Sequence, residues 1–252
     1  MLAVTTRNRL RSARFCLPML RARRLVAEQL ATAPGLVRYA GGLAAPTEFF
    51  TLTVWEDKQA MRTFMQSGAH ERVMWLFNRW TESFWGMRWE PTGAEVGAWD
   101  GRRLGCTEAP PRPLSPLVTA GLLPPSPPRA GPTGPRRESG AVEPRACGLF
   151  AACARLEGQR GLRAAPALRR RLRREAADGS GLVRWSVSLD WPAQVLVLAI
   201  WRDSPATREH ALELLSEPGG ATWAMCWQPG DYEIGHWDGL RLRLAGRRRA
   251  EA

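Results

Sequence analysis

Histidine is the side chain best suited to proton transfer near neutral pH, and the chain contains three. His70 is the strongest candidate because it lies between Phe64 and Met74, in apolar surroundings, at the start of a predicted helix. A neutral imidazole there could act as a general base on an acidic substrate C–H or O–H, or could ligate haem iron. A structural role is the alternative, since backbone groups can satisfy a histidine at a helix N-terminus. His210 could line a second cavity, but it and His236 fit surface or structural roles better.

Two further pairs of side chains occupy equivalent places in the chain. Trp55 and Trp201 each end a strand-like stretch, where they could stack on a planar ligand. They could equally fill a core between two sheets, an interpretation that their occurrence at both places favours. Arg38 and Arg184 each precede an aromatic residue. They could orient an anionic group, or form an ion pair with a glutamate such as Glu95.

The standard motifs of several enzyme classes are missing from the sequence. It contains no GxGxxG, no phosphate-binding loop, no HExxH, no GxSxG and no cluster of Cys and His residues. These absences argue against nucleotide use, zinc-dependent hydrolysis and a serine nucleophile, and no metal site is predicted.

The cysteines and the apolar runs suggest where the protein works. The five cysteines are scattered and form no CxxC pair, so we expect reduced thiols and a cytoplasmic location. The N-terminal residues contain no apolar core of a signal peptide. The longest apolar run, Val195–Trp201, has the length of a strand, so no membrane span is expected.

The net charge of +12 raises the hypothesis of a nucleic-acid-associated protein. Arginines cluster at residues 169–174 and 247–249, but the excess of positive charge is spread along the chain. Of the 36 basic residues only Lys58 is lysine, which is typical of a GC-rich coding sequence. We therefore do not expect a nucleic-acid-binding face.

The elements that must position these residues are encoded twice. Residues 35–57 and 181–203 share a Gly-Leu-Val-Arg-aromatic start, a central proline and a Trp-x-Asp end at a constant offset. Residues 89–101 and 227–239 share a second phrase that ends in Trp-Asp-Gly. Two matching phrases in the same order indicate an internal duplication.

Each copy has the hydrophobic pattern of a β-α-β-β-α-β, ferredoxin-like unit. The first copy, residues 1–104, is predicted to have strands at 4–17, 36–43, 48–55 and 84–90, with helices at 19–33, 58–67 and 70–80. The second copy, residues 147–244, is predicted to have strands at 147–157, 182–189 and 194–201, a last strand that covers about 223–227 and 231–237, and helices at 160–177 and 205–216. It therefore lacks most of the extra helix that carries His70.

Residues 105–146 differ from both copies in composition. They contain 11 of the 20 prolines and no regular apolar pattern, which predicts a flexible linker. Residues 245–252 are predicted to form a basic tail.

A sheet with both helices on one side leaves its other face bare. In the second copy that bare face is predicted to be Val195, Val197, Ala199 and Trp201, which is too apolar to face water. The other copy can cover it. The expected fold class is α+β, with two ferredoxin-like repeats packed sheet to sheet and able to close into a barrel.

The stretch Thr51–Ala60 resembles the strand-to-helix passage of haem-degrading monooxygenases, and residues 64–74 resemble bacterial proteins related to spheroidene monooxygenase. Both groups belong to the dimeric α+β barrel superfamily, which also includes the antibiotic biosynthesis monooxygenases. The resemblance implies that two such units, here in one chain, pack sheet to sheet.

Haem-degrading members of this superfamily use an Asn on the first strand, a Trp on the second helix and a His on the next helix. Asn8 matches the first of these, whereas Phe64 and Met74 stand in the other two places, with His70 one helical turn before Met74. Two of the three functional residues are therefore replaced. Cofactor-independent members bind flat substrates in an apolar cavity between sheet and helices.

The resemblance therefore implies a monooxygenase acting on a small apolar or aromatic molecule in a cavity of the first repeat, with either no cofactor or haem. His70 would be the base or ligand, and Asn8 and Arg38 would polarise the substrate. The expected cavity-lining residues are Thr51, Thr53, Trp55, Phe64, Met74 and Trp75. The alternative is a non-catalytic barrel that binds haem or another small ligand. Either protein could form a homodimer.

Overall fold

The computed structural model describes residues 1–105, 148–190, 193–216 and 221–242. The first repeat consists of β1 (Leu2–Leu10), α1 (Cys16–Ala31), β2 (Leu36–Ala45), β3 (Glu48–Trp55), α2 (Lys58–Met65), α3 (Gly68–Trp80) and β4 (Thr81–Gly97). The second consists of β5 (Leu149–Glu157), α4 (Gly158–Ala177), β6 (Leu182–Asp190), β7 (Gln194–Arg202), α5 (Pro205–Ser216) and β8 (Ala221–Gly235). The predicted linker, apart from residue 105, and the predicted tail lie outside the described residues.

Local sequence signals account for most of these boundaries. Asp57 begins α2 as predicted, because its side chain accepts a hydrogen bond from the Ala60 amide at 2.8 Å. The first strand was predicted to run to residue 17, but β1 ends at Leu10. There Ser12 caps a short 3-10 turn that leads into α1. Only residues 217–220 separate α5 from β8, and the described residues of the second repeat include no counterpart of α3.

The eight strands form one closed antiparallel barrel in the order β1-β3-β2-β6-β7-β5-β8-β4. The two repeats meet where β4 pairs with β8 and where β2 pairs with β6. At the second seam a Cβ atom on Gly42 would lie 2.5 Å from the Leu189 carbonyl oxygen. Glycine is therefore required for this close approach of the two repeats. The closed barrel confirms the expected α+β fold with paired repeats.

The prediction of which face of β7 meets the other repeat was wrong. Leu196, Leu198 and Ile200 point into the barrel, where they join the large buried cluster that contains residues of both repeats. The face that was predicted to meet the other repeat packs against helices instead. It consists of Val195, Val197, Ala199 and Trp201, which lie under α4 and α5. Both faces of β7 are apolar, so alternation of polar and apolar residues could not assign them.

Two reciprocal hydrogen bonds inside the barrel join the repeats. The Trp223 indole N–H donates to the Glu95 carboxylate at 2.7 Å, and the Trp85 indole N–H donates to Glu233 at 2.9 Å. The two bonds connect equivalent positions, since Trp85 and Trp223 are separated by the same 138 residues as Glu95 and Glu233. The duplication seen in the sequence is therefore repeated in the contacts that close the barrel.

Candidate functional site

A cavity of about 160 Å³ lies in the first repeat, between the outer face of the sheet and the helices α1, α2 and α3. Its wall is mostly apolar. Seven of the nine side chains that the sequence nominated line it: Asn8, Thr51, Thr53, Trp55, Phe64, His70 and Met74. The fold therefore brings together residues that are 66 positions apart in the chain.

The second repeat fills the corresponding space with apolar side chains. Leu168 and Leu172 of α4 and Leu214 of α5 are almost completely buried against the outer face of β7. In the first repeat, the strand that is equivalent to β7 carries Thr51 and Thr53 on this face. The difference between the repeats, and in particular the extra helix α3, therefore creates the cavity.

The threonines in the cavity wall are engaged with their neighbours. The hydroxyl groups of Thr6 and Thr51 are hydrogen-bonded across β1 and β3 at 2.6 Å. Thr53 accepts a hydrogen bond from the Trp55 indole N–H at 2.9 Å. These bonds hold the sheet side of the cavity in one arrangement.

Asn8 differs from these threonines because its amide oxygen, Oδ1, has no hydrogen-bond partner in the described part of the chain. The residue is 4 % exposed and lines the cavity from β1. A buried polar atom without a partner costs about 1–3 kcal/mol, so a ligand that donates a hydrogen bond to Oδ1 would remove this cost. Asn8 is therefore a polar recognition point in an apolar cavity.

His70 lies in the first turn of α3, and both its backbone and its ring contact neighbouring residues. Its backbone N–H donates to the Gln29 side chain at 2.8 Å, and its ring lies 5.0 Å from the ring of Phe64. Its Nδ1 atom is 3.1 Å from the Met65 carbonyl oxygen. A carbonyl only accepts, so Nδ1 carries the proton and Nε2 keeps a lone pair in the neutral ring.

Burial lowers the pKa of His70 below its ordinary value, although the hydrogen bond to Met65 opposes this shift. The ring is therefore neutral at neutral pH. Within the described residues no hydrogen-bond partner is found for Nε2. The backbone contacts of His70 are those expected for a structural role. They also leave Nε2 able to accept a proton, so they are compatible with a role as a base.

Arg23 and Tyr39 also line the cavity and were missed from the sequence. The Arg23 guanidinium donates to the Gly41 carbonyl at 2.7 Å and to the carboxylate of Asp190, which belongs to the second repeat. Burial alone would lower the pKa of Arg23, but Tyr39 and Asp190 raise it above its ordinary value. Arg23 shares the helix face of Met19 and Leu30, which was a usable signal that this arginine points inward.

Two of the nominated residues are elsewhere. Arg38 faces away from the cavity, because neighbouring residues on β2 alternate and Tyr39 takes the helix-facing side. Its guanidinium donates to the Trp99 carbonyl at 3.2 Å. Trp75 is 78 % exposed, since α3 turns Met74 towards the cavity and the next residue outward. Neither of these two side chains lines the cavity.

The two equivalent tryptophans lie under helices and not in the core between the repeats. Trp55 packs against Phe64 of α2, with ring centroids 5.1 Å apart. Trp201 stacks on Phe150 at 5.7 Å in the helix-covered core of the second repeat. The interpretation of both residues as plugs between the sheets was therefore wrong, and Trp55 is available to contact a ligand.

The cavity does not fit haem. A cavity of this volume matches one small aromatic molecule, whereas the haem macrocycle contains four pyrrole rings. The imidazole that would ligate iron is packed against Phe64, and the nearby Arg23 is already paired with Asp190.

In the described part of the chain, no three His, Cys, Asp or Glu side chains come together as metal ligands. None of its helices is long and apolar enough to cross a membrane.

Residues 19–74 match the family model described as antibiotic biosynthesis monooxygenase. No curated protein matches the sequence. A structure from Nitrosomonas europaea, described as an antibiotic biosynthesis monooxygenase, is 16% identical and covers 36% of this chain and 99% of its own, with a TM-score of 0.34. A variant of SnoaB, a cofactor-independent oxygenase from Streptomyces nogalater, is 14% identical and covers 36% of this chain and 92% of its own, with a TM-score of 0.32.

A structure from Lactobacillus acidophilus that is described as a monooxygenase aligns over most of the chain. It is 8% identical and covers 93% of this chain and 96% of its own, with a TM-score of 0.35. The family match runs from within α1 to the middle of α3 and so includes all of α2 and parts of the other two helices that enclose the cavity. Together with the duplicated order of elements and the closed barrel, it shows that the chain resembles the dimeric α+β barrel superfamily of antibiotic biosynthesis monooxygenases, with both units in one chain.

Proposed function

We propose that the protein is a cofactor-independent monooxygenase that acts on a small aromatic or otherwise apolar molecule in the cavity of the first repeat. One observation carries this proposal: Asn8 and His70 line the same apolar cavity. The amide oxygen of Asn8 has no hydrogen-bond partner among the described residues, and the imidazole of His70 is neutral. The family match over the same helices supports it.

The proposed reaction begins when Nε2 of His70 takes a proton from an acidic C–H or O–H of the substrate. The Oδ1 atom of Asn8 accepts a hydrogen bond from a hydroxyl or N–H group of the substrate and so fixes its orientation. The resulting electron-rich carbon reacts with dioxygen. An activated methylene group becomes a carbonyl, one oxygen atom enters the product and the other leaves as water, so the substrate supplies all the electrons.

Substrate size follows from the cavity. Its volume of about 160 Å³ suits a molecule with one aromatic ring, and the aromatic side chains of Trp55 and Phe64 can contact the face of that ring. An apolar wall also disfavours substrates with several charges, because each charge would lose its hydration without a partner.

The proposal is tested by oxygen uptake of the purified protein with a panel of single-ring phenols and enolisable aryl ketones. His70→Ala should lower turnover at least about a hundredfold, because a general base contributes on that scale. His210→Ala is the matched control, since that imidazole is surface-exposed and pairs with Glu175. Unchanged turnover in His70→Ala, or an equal loss in both variants, would contradict the assignment.

The second candidate is a non-catalytic binding protein, favoured by the backbone contacts that already satisfy His70. It predicts stoichiometric binding of the same compounds, without oxygen uptake, in both the parent protein and His70→Ala. The absorption spectrum of the purified protein shows whether haem is the bound ligand, because bound haem produces a Soret band.

A further inference from the structure

The helices around the cavity present an unusual outer surface. Six of the eleven exposed large hydrophobic side chains found in the described residues lie on α1, α2 and α3: Leu17, Leu20, Leu25, Met65, Trp75 and Leu76. Trp75 is the most exposed of them. Large apolar side chains grouped on one part of a surface indicate a partner that removes them from water.

On α3 these residues form a stripe with arginines. Arg72, Trp75, Leu76 and Arg79 are spaced at i, i+3, i+4 and i+7, which places them along one side of the helix. All four are exposed. The opposite side of the same helix lines the cavity through His70 and its neighbours. The helix is therefore apolar on both sides, with arginines only on the outer one.

The first helix continues this surface. Gln29, near the end of α1, bonds to the start of α3, while Met19, near the start of α1, packs with Phe77 and Trp80 at the end of α3. The two helices are therefore antiparallel neighbours. Leu17 and Leu20 are exposed on α1, as are Arg21 and Arg24.

The charge of this surface is mainly positive, although Arg24 pairs with the partly buried Glu28 at 3.0 Å. Between Arg14 and Ala31 and between Gly68 and Trp80, the exposed charged residues are five arginines and a single acid, Glu71. Arginine can place its charged head at a lipid phosphate while its aliphatic stem stays in contact with apolar neighbours. Exposed Trp and Leu between arginines are typical of helices that lie in the interface of an anionic membrane.

The second repeat provides an internal comparison. Its helix α4 also exposes arginines, among them Arg163, Arg170 and Arg173. However, none of the exposed large hydrophobic residues in the described part of the chain lies on α4 or α5. General basicity of the chain therefore does not account for the apolar surface of the first repeat.

We propose that the outer face of α1 and α3, defined by Leu17, Leu20, Arg72, Trp75, Leu76 and Arg79, docks on the surface of a membrane that contains anionic lipid. This goes beyond the proposed function and does not depend on it. Docking would insert Trp75 and the leucines among the lipid headgroups while the arginines pair with phosphates. It would also place the helical wall of the cavity beside a store of apolar molecules.

The observations favour lipid over the other partners of such a face. Two copies packed through it would bring two surfaces together on which arginines outnumber acids, and this repulsion costs free energy. A nucleic acid would pair with the arginines and could stack on Trp75. It would nevertheless leave Leu17 and Leu20 against a hydrated phosphate backbone.

The test is co-sedimentation of the full-length protein with vesicles of phosphatidylcholine alone or of equal parts phosphatidylcholine and phosphatidylglycerol. The protein should bind the anionic vesicles only. Trp75→Ser should weaken that binding about tenfold, because the variant loses one inserted aromatic side chain. Arg72→Ser and Arg79→Ser should each weaken it about fivefold and flatten its dependence on salt.

Matched controls come from the second repeat. Tyr232→Ser removes an exposed aromatic residue of β8, and Arg170→Ser with Arg173→Ser removes two exposed charges of α4. These variants should bind as the parent protein does. Circular dichroism and thermal melting confirm that each variant is folded, which is expected because the altered side chains are exposed.

Several results would overturn the proposal. One is an equal loss of vesicle affinity in the α4 and α3 variants. Another is binding to neutral vesicles that Trp75→Ser does not weaken. The third is no vesicle binding at all. Self-association that Trp75→Ser abolishes, without vesicle binding, would assign the face to a second copy. Binding of single-stranded oligonucleotides without vesicle binding would assign it to nucleic acid. None of these measurements requires turnover, so their outcome is independent of the proposed oxygenase activity.

Discussion

The carboxylate of Asp190, in the second repeat, accepts a hydrogen bond from the guanidinium of Arg23, in the cavity wall of the first repeat. The two residues are 167 positions apart in the chain. Asp190 ends β6 beside the seam at which β6 meets β2. The second repeat therefore helps to hold one side chain of the cavity wall in place, although the cavity itself is lined by the first repeat.

Asp190→Ala should lower the free energy of unfolding. Arg23 would keep a partly buried charge without its carboxylate partner, at a cost of about 1–2 kcal/mol, since both side chains retain some contact with water. Urea denaturation measures the loss. Arg23→Met should relieve most of this penalty in the double variant, because the unpaired charge is then gone. Simple additivity of the two changes would show that the ion pair contributes nothing.

Asn8→Leu should raise stability and lower ligand affinity. The substitution removes a buried acceptor without a partner, which should increase the free energy of unfolding by about 1 kcal/mol. The same change removes the group proposed to orient the substrate, so turnover or binding of hydroxylated aromatics should fall. Asn78→Leu is the control, because that side chain is exposed on α3. A destabilised Asn8→Leu variant would contradict this account.

The lowered pKa of His70 predicts how stability depends on pH. The unfolded chain takes up a proton at the ordinary histidine pKa of about 6.5, whereas the folded chain does so only at lower pH. Burial of the neutral ring therefore contributes its full stability above the unfolded pKa, and this contribution is lost as the pH falls below it. Urea midpoints of the parent protein should drop more than those of His70→Gln between neutral and mildly acidic pH.

Turnover should follow the same titration if His70 is the base. Activity should rise as the pH increases through the lowered pKa of His70 and level off below the ordinary histidine pKa, because only the neutral ring accepts a proton. An activity that is still rising well above that pH would assign the base to another group.

Trp223→Phe should destabilise the whole barrel by about 1–3 kcal/mol, because the buried Glu95 carboxylate loses its indole donor. Trp85→Phe should have a similar effect through Glu233, since the two bonds are equivalent. The parent protein and both variants should unfold in one transition, because each bond joins the two repeats. Separate transitions for the two repeats in denaturant would show that the barrel is not one cooperative unit.

Much of the fold was predictable from the amino-acid sequence. The repeated phrases at residues 35–57 and 181–203 indicated the duplication, and the hydrophobic periods gave the order of the strands and helices in each unit. The first strand was predicted to end seven residues too late, and β4 extends seven residues beyond its predicted end. Local interactions decide such features. The cap at Asp57 and the apolar spacing on the helices act over a few residues, so they can be read along the chain.

Part of the candidate site was also predictable. His70 and the two threonines of β3 stand where the two copies differ, and the structure places all three in one cavity. Arg38 and Trp75 do not line the cavity, because residues that are adjacent in sequence need not point to the same place. On a strand the next residue points to the opposite face, and on a helix it is turned by about 100°.

The tertiary structure alone decided how the two copies share their surfaces. Both faces of β7 are apolar, so only the packed barrel shows that Leu198 faces the partner repeat and Val197 faces the helices. The pairing of Arg23 with Asp190 depends on closure between β2 and β6, which no local pattern encodes. Duplication, element order and the histidine of the extra helix were determined by sequence, because short-range forces set them. The cavity and its cross-repeat ion pair were decided by long-range packing.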